Sequence, residues 1–512
     1  MQKNILITGA TDGIGLELAR LYAQQGYSLL LVGRRAQPPA VPGKVLYCRA
    51  DLETAVSVEQ IRLFLQQHGV ERLDVLIHNA GVGYYGRLQE QAAQSIEALT
   101  AVNLSAPSAL THALLPLVRA AAGQIVFISS VVSTLPTPDY AVYTATKAAL
   151  DGFARSLRVE LRGQATVQVI HPGATRTGMH AKMGISRETL DWETFPAAAA
   201  VAAGIATAIA RKRPSATIGL KNSLLHFTGR NLSRIIDPRL RRPDTLAAAA
   251  NRQQRPHCVI TGAADGIGRA LARQFGRAGY TITGVDVDMA KAQETAVALT
   301  AEGMEITFIE ADLGQNGGIQ QVLAALAERP FIDVFIHNAG INAVGQFAQL
   351  PIARQQAVLD VNLRAPLLLT AGILRMGRMN VGGMWVFLSS LSHFVSYPGA
   401  AVYAASKDGV ASFARSLRAA NEGGAAALAV FPGPTRTIHA RRYSPDNSRE
   451  GARMPPAALA TAVYQAVQKR QAMFVPGAAN RLLALAGRLF PGLLEAAMAR
   501  TMLAKIGDKV MV

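Results

Sequence analysis

Ile5-Leu6-Ile7-Thr8-Gly9-Ala10-Thr11-Asp12-Gly13-Ile14-Gly15 is the stretch that decides the fold. An apolar run ends in Thr8, a glycine-rich turn follows, and Leu16 to Gln25 reads as a helix stopped by Gly26. A second apolar run, Ser28 to Val32, completes a strand–turn–helix–strand unit. Glycines in such a turn let the backbone approach a pyrophosphate. The free N–H groups and the dipole of the following helix then hold the negative charge. A glycine-rich turn alone is weak evidence; the strand before it and the helix after it give it meaning.

Outward from this unit, apolar runs keep alternating with helical segments. Val45 to Arg49 leads to Asp51-Leu52, and Asp74 to Ile77 leads to His78-Asn79-Ala80-Gly81. A long helix carries Val102-Asn103-Leu104, and Gln124 to Ile128 leads to Ser129-Ser130. A helix headed by Tyr143-Thr144-Ala145-Thr146-Lys147 runs toward Leu161, and Val167 to Ile170 enters His171-Pro172-Gly173. Strands alternating with helices of this size predict a doubly wound parallel sheet, an α/β fold of Rossmann-like type. Ligands of such sheets bind beyond the carboxyl ends of the strands, where these polar residues fall. Beyond Pro172, residues 174–195 read as a polar, Met-rich lid, 196–213 as a helix and 214–242 as a basic tail.

The chain then repeats itself. Cys258 to Gly268 matches the opening stretch, His337-Asn338-Ala339-Gly340 matches 78–81, and Val361-Asn362-Leu363 matches 102–104. Phe387 to Ser390, Tyr403-Ala404-Ala405-Ser406-Lys407 and Phe431-Pro432-Gly433 follow in the same order. Even Gly219 and Gly229-Arg230 have counterparts in Gly477 and Gly487-Arg488. A domain-sized period means a duplicated domain rather than a solenoid. The 512 residues therefore divide into tandem domains, 1–242 and 255–512. Residues 243–254, polar and Ala-rich without hydrophobic period, read as the linker.

A Tyr and a Lys four apart share one helix face. A free phenol titrates near ~10, and an ammonium beside it favours the phenolate, so Lys147 is expected to pull the Tyr143 pKa down toward working pH. The same holds for Lys407 and Tyr403.

Half of the residues are hydrophobic, only 17% are charged, and the formal net charge is +18. That balance suits a basic solvated surface or an anionic partner. No basic run is interleaved with aromatics, which argues against nucleic acid. Cys48 and Cys258 lie in apolar runs and read as inert core residues; no metal site is expected. The first residues enter a strand at once, which leaves no room for a signal peptide, and the longest apolar run, Pro196 to Ala210, is short for a membrane span. The expected setting is cytoplasmic.

Taken together and in order, glycine-rich turn, Asn-Ala-Gly, helix Asn, Ser, Tyr-x-x-x-Lys and Pro-Gly resemble the short-chain dehydrogenase/reductase family, twice over and across all but the linker. The resemblance implies an NAD(P)-dependent oxidoreductase that interconverts a secondary alcohol and a ketone. It implies that Ser130 bonds the substrate oxygen, Tyr143 is the acid/base, Lys147 holds the ribose and Asn103 holds a relay water. In the second copy these roles fall on Ser390, Tyr403, Lys407 and Asn362. It further implies cofactor contacts at Gly9, Thr11, Asp12, Gly13, Ile14, Gly15, Arg34, Arg35, Asp51, Leu52, Asn79, Ala80, Gly81, Pro172, Gly173, Thr175 and Thr177. The second set is Gly262, Ala264, Asp265, Gly266, Ile267, Gly268, Asp286, Asp312, Leu313, Asn338, Ala339, Gly340, Pro432, Gly433, Thr435 and Thr437. His78 and His337 stand where the family often has Asn, and neither reads as catalytic.

The copies differ where it matters for the cofactor. Leu31-Val32-Gly33-Arg34-Arg35 aligns with Gly284-Val285-Asp286-Val287-Asp288, so Gly33 falls opposite Asp286. A carboxylate there accepts ribose hydroxyls and repels a 2′-phosphate, whereas Gly followed by Arg supplies a guanidinium for it. NADP(H) is expected in the first domain and NAD(H) in the second. Oxidation in one domain is then free to couple to reduction in the other.

The alternatives are a ketoacyl reductase acting on a carrier-protein thioester and a nucleotide-binding scaffold or sensor with idle sites. Ketoreductases of modular synthases also have two related halves, but only one keeps the active site; here both keep Tyr-x-x-x-Lys. Arg176 and Arg436 read as a clamp for a carboxylate or phosphate of the substrate, as surface residues, or as partners of the cofactor's own phosphates. His180 and His439 read as loop residues. The apolar, Arg-dotted stretch Arg481 to Lys505 fits an anionic membrane surface, a pocket cover or a subunit interface. Family members pair through the Tyr–Lys helix, so an intrachain pseudo-dimer is expected, with homodimerisation as a further option.

Overall fold

The structure, a computed structural model, describes residues 2–185, 188, 190–242, 255–507 and 509–511. The expected linker, 243–254, lies outside the described residues. In the first half the strands are β1 (Asn4–Thr8), β2 (Ser28–Gly33), β3 (Val45–Arg49), β4 (Val75–His78), β5 (Gln124–Ile128), β6 (Thr166–His171) and β7 (Ser215–Thr217). The second half has β8 (His257–Thr261), β9 (Thr281–Asp286), β10 (Ile306–Glu310), β11 (Ile332–His337), β12 (Met379–Leu388), β13 (Ala426–Val430) and β14 (Met473–Phe474). They form two seven-stranded sheets, ordered β3-β2-β1-β4-β5-β6-β7 and β10-β9-β8-β11-β12-β13-β14. Every pairing is parallel. Strands covered by helices on both faces read as continuous apolar runs, as Ile5-Leu6-Ile7 and Leu29-Leu30-Leu31 do; all six are buried. Strand order reverses between β1 and β4, and between β8 and β11. The crevice at each switch point is where such sheets bind ligands.

The helix Ala141–Glu160 of the first half packs along Ala401–Ala420 of the second. Small residues permit the approach. A Cβ on Gly152 would stand 2.3 Å from Asp408 Oδ2, and one on Gly409 would stand 3.1 Å from the Ala145 carbonyl and from the Ala149 Cβ. The packing is one apolar cluster drawn from both halves, with Phe127 and Phe153 on one side and Phe347, Leu363 and Phe413 on the other. The Phe153 and Phe347 rings meet edge to face at 5.5 Å. Around this core the halves exchange polar contacts in both directions. Glu160 accepts the N–H groups of Phe347 and Gly399, and Glu422 accepts those of Leu88 and Gln89.

Two expectations change. Residues 214–242 are not a tail: they supply β7 and the helices Leu220–Asn231 and Ser233–Arg239. Their basic residues are partly used as ties, since Arg242 pairs with Asp139, and Asp237 receives Arg415 at 2.8 Å. Apolar helices longer than Ala198–Ala210, the helix formed by the Pro196–Ala210 run, also exist. Ala93–Ala120 and Ile352–Arg375 are long and apolar enough to cross a membrane, but their apolar windows are 61% and 78% buried inside the fold.

Candidate active sites

Ser130 and Ser390 stand just past the carboxyl ends of β5 and β12 in extended conformation. Each caps a short 3₁₀ turn, accepting the N–H of Val132 or Ser392. The hydroxyls of Tyr143 and Tyr403, one turn into their helices, hydrogen-bond with these serines. Lys147 Nζ lies 5.7 Å from the Tyr143 ring centroid and donates to the Ile128 carbonyl at 3.0 Å. Lys407 repeats this, 5.7 Å from the Tyr403 ring and 2.9 Å from the Leu388 carbonyl. The structure therefore brings Ser, Tyr and Lys together in both halves.

Asn103 and Asn362 complete each group from π-helical turns, Ala101–Ser105 and Asp360–Arg364. A π-turn inserts one residue into a helix and is frequent at functional sites. Asn103 accepts the Val82 N–H at 2.9 Å and donates to the Val82 carbonyl and the Thr146 hydroxyl, both at 3.0 Å. Asn362 does the same with Ile341 and Ser406. A Cβ on Gly81 would touch Asn103 Oδ1 at 3.4 Å and Lys147 Nζ at 3.5 Å, so Gly81 borders the group directly.

The sites are buried, and burial sets the charges. It pushes the Tyr143 phenol up to about 12, with the Ser130 hydrogen bond opposing, and raises Tyr403 likewise. It pulls the Lys147 and Lys407 ammonium groups down to about 8. The expectation that Lys lowers the Tyr pKa is thus reversed for the protein's own groups. Desolvation of a phenolate outweighs an ammonium held against the strand-end carbonyl rather than against the phenol oxygen.

The glycine-rich turns run through backbone that glycine adopts readily and pack too closely for side chains. Gly9 and Gly13 have φ of 66° and 53°, and Gly262 and Gly266 have 65° and 57°. A Cβ on Gly9 would stand 2.7 Å from Ala80 Cα, and one on Gly15 2.3 Å from the Gly9 carbonyl. Asn79 ties the two loops by donating to the Thr8 and Gly9 carbonyls, and Asn338 repeats this at Thr261 and Gly262. Asp12 and Asp265 cap the following helices through Gly13 and Gly266. Thr11 Cγ2 lies 2.5 Å from where a Gly33 Cβ would stand, so a side chain there would require Thr11 to move. Arg34 and Arg35 beyond it are exposed. In the second half Asp286 accepts the Ala264 N–H at 2.9 Å and the Val287 N–H at 2.9 Å, which fixes its carboxylate against the turn.

Asp51 and Asp312 are exposed at strand ends, with buried Leu52 and Leu313 beside them. Pro172-Gly173 and Pro432-Gly433 follow β6 and β13; Thr175 and Thr435 each bond the carbonyl of that glycine. Thr177 faces Gly13, and Thr437 faces Gly266 while capping Ile438–Arg442. In the second half Gly266, Ile267, Asp286, Asn338, Tyr403 and Thr437 border one cavity of about 1890 Å³.

Several residues behave as structure. His78 and His337 are buried, held neutral by desolvation near pKa 3, and bond Thr111 and Thr370. Arg176 pairs with Glu193 at the surface at 3.3 Å, which fits a surface residue better than a clamp. His180 packs on Trp192. His439, by contrast, borders the second cavity.

Sequence reasoning missed two contributions. Asn222 and Asn480 sit under Gly173 and Gly433, 2.3 Å and 2.6 Å from a would-be Cβ; their occurrence in both copies was the available signal. Met498, Met502 and Lys505 border the second cavity from the C-terminal segment. That segment is anchored by buried Ile506 and by a bridge between Met511 and Val344.

The family described as short chain dehydrogenase matches residues 3–188 and again 256–448. An Escherichia coli protein called uncharacterized oxidoreductase YciK is 36% identical over 190 residues, 35% of this chain and 75% of its own length. A 1-deoxy-11-beta-hydroxypentalenate dehydrogenase of Streptomyces exfoliatus is 37% identical over 188 residues, 35% of this chain and 67% of its own. Among solved structures, a short-chain dehydrogenase from Sphingobium yanoikuyae in complex with NADPH is 26% identical and aligns with a TM-score of 0.40, covering 48% of this chain and 99% of that one.

Proposed function

With both halves of the chain belonging to the short-chain dehydrogenase/reductase family, an NAD(P)-dependent oxidoreductase family, we propose that each half is a complete centre interconverting a secondary alcohol and a ketone. In this reading residues 1–242 use NADP(H) and residues 255–512 use NAD(H). The observation that carries it is the doubled group of Ser, Tyr, Lys and Asn, with the same partners in each half. The nicotinamide supplies or accepts the hydride when bound.

The chain's own residues do the rest. In reduction, Ser130 and Tyr143 bind the carbonyl oxygen, and the Tyr143 hydroxyl gives it a proton as negative charge develops there. A phenol raised to about 12 rests protonated, which is the form a donor needs. Lys147, with Nζ beside Gly81, is placed to hold a ribose and to offset charge on the phenol. Asn103, fixed by its π-turn, keeps the loop at Val82 in place. Oxidation runs the same proton transfer backward. In the second half the same steps fall on Ser390, Tyr403, Lys407 and Asn362. The glycine cradles fit a pyrophosphate. Gly33 with exposed Arg34 and Arg35 suits a 2′-phosphate, and the fixed Asp286 carboxylate opposes one.

Tyr143→Phe should abolish the NADPH-linked activity and spare the NADH-linked one, and Tyr403→Phe the reverse, each by ~100-fold or more. Steady-state rates with each nucleotide and a panel of ketones check this. Loss of both activities in either variant would contradict two independent centres.

A further inference from the structure

Beneath the first centre lies a group that the proton-transfer chemistry does not use. Asp151 is one helical turn beyond Lys147, His171 ends β6, and His226 lies on the helix Leu220–Asn231. One carboxylate oxygen and one nitrogen from each ring lie within 4.8 Å of one another. His171 Nε2 and Asp151 Oδ2 are already 3.1 Å apart. His171 is 2% exposed, and its Nδ1 has no hydrogen-bond partner; nor has the buried His226 Nε2.

We propose that the first half binds a divalent ion of the zinc type, with Asp151, His171 and His226 as its ligands. Two imidazoles and a carboxylate are the donor set zinc takes in three-ligand sites, with a fourth position left for water. Ligand atoms at about 2.0–2.2 Å from such an ion lie roughly 3.4 Å apart. Asp151 and His171 are hydrogen-bonded at 3.1 Å and the His171 and His226 rings pack with centroids 4.2 Å apart, so the ion takes the place of that hydrogen bond and the rings turn toward it.

The second half supplies an internal control. Aligned through Tyr403, Pro432 and Gly477, its counterparts of the three residues are Ala411, Phe431 and Ala484, all apolar. The donors are present together or absent together. The second half places a different pair nearby, His393 with Asp408, and closes it with a protein cation: Arg155 reaches Asp408 at 2.8 Å. The matching Arg415 turns instead to Asp237 at 2.8 Å. Among the described residues no Lys or Arg comes within ion-pairing distance of Asp151.

The test is a titration of the metal-stripped full chain with Zn²⁺ by calorimetry and with Co²⁺ by visible absorption. Wild type should show a site whose Co²⁺ spectrum is that of a four-coordinate N/O complex, and a Zn²⁺-dependent rise in melting temperature. His226→Ala and His171→Phe, which install the second half's residues, should each weaken that binding at least ~10-fold. His226→Ala should melt where metal-free wild type does, and it serves if His171→Phe fails to fold. Absence of stoichiometric binding to wild type, or binding undiminished in folded His226→Ala, would overturn the assignment.

Discussion

Lys147 and Lys407 are the residues whose charge the fold leaves most finely poised. Burial lowers both ammonium groups to about 8, and for Lys147 the nearby Asp151 carboxylate opposes that shift. A base lowered in this way is charged below that pH and neutral above it. If the ammonium supports ribose binding and the phenol, ketone reduction by the first centre should fall as pH rises through about 8. In the metal-stripped chain Asp151→Asn removes the opposing charge and should move that fall to lower pH. The profile of kcat/KM with NADPH, taken in a Tyr403→Phe background, reads both. A flat profile through pH 9 would contradict this role for Lys147. Sequence alone gave the opposite sign for Tyr143, because spacing on a helix shows which groups are neighbours but not how dry they are. Ser130, Tyr143 and Lys147 were legible because they follow a strand end or head a helix, and Asn103, inside a long helix, because Val-Asn-Leu recurs in both copies and in the family pattern. Asp151, His171 and His226 were not, because three distant segments must fold before they meet.

At the scale of elements, the paired helices Ala141–Glu160 and Ala401–Ala420 fit through missing side chains. Gly152 faces Asp408, whose carboxylate is already fixed by Arg155 and His393. Gly152→Ala should therefore cost about 1–3 kcal/mol of stability despite its better helix propensity. A melting curve checks it, and a variant as stable as wild type would show that Asp408 gives way freely. The C-terminal segment makes a second case. Its residues Met498, Met502 and Lys505 border the second cavity, and Lys505 pairs with Asp446 at 2.7 Å. Ending the chain after Ala497 should raise KM for the ketone at the second centre by about tenfold, the equivalent of ~1.4 kcal/mol, and leave the first unchanged. An unchanged KM at the second centre would mean that the segment does not touch substrate. The long interior strands were readable from their apolar runs. The edge strands β7 and β14 were not, being three and two residues long and paired on one side only. Nor were the π-turns, whose extra residue leaves no mark on hydrophobic period.

For the whole molecule, the two halves share a core, so their contacts bear on stability as well as on placement. Glu160 sits at that boundary, and desolvation raises its carboxyl to about 7 against the two N–H groups it accepts. The sign follows from linkage. Below about pH 4.5 the carboxyl is protonated folded or unfolded; between there and 7 the folded chain holds a proton that the unfolded chain has lost. Stability should thus decline as pH rises through that window, by on the order of 1–3 kcal/mol. Glu160→Gln should flatten the decline in denaturant melts between pH 5 and 8, and an identical slope in the variant would exclude Glu160 as its source.

The central claim is that the duplicated chain carries two nucleotide sites of opposite preference. Equilibrium titration of NADH and NADPH into wild type, Gly13→Asp and Gly266→Asp tests it most directly, since each substitution puts a side chain and a charge on a positive-φ glycine at one helix start. The prediction is that Gly13→Asp loses NADPH and keeps NADH, while Gly266→Asp loses NADH and keeps NADPH. If both nucleotides are lost together from a single variant, or one nucleotide binds neither half of wild type, the two-site account is wrong.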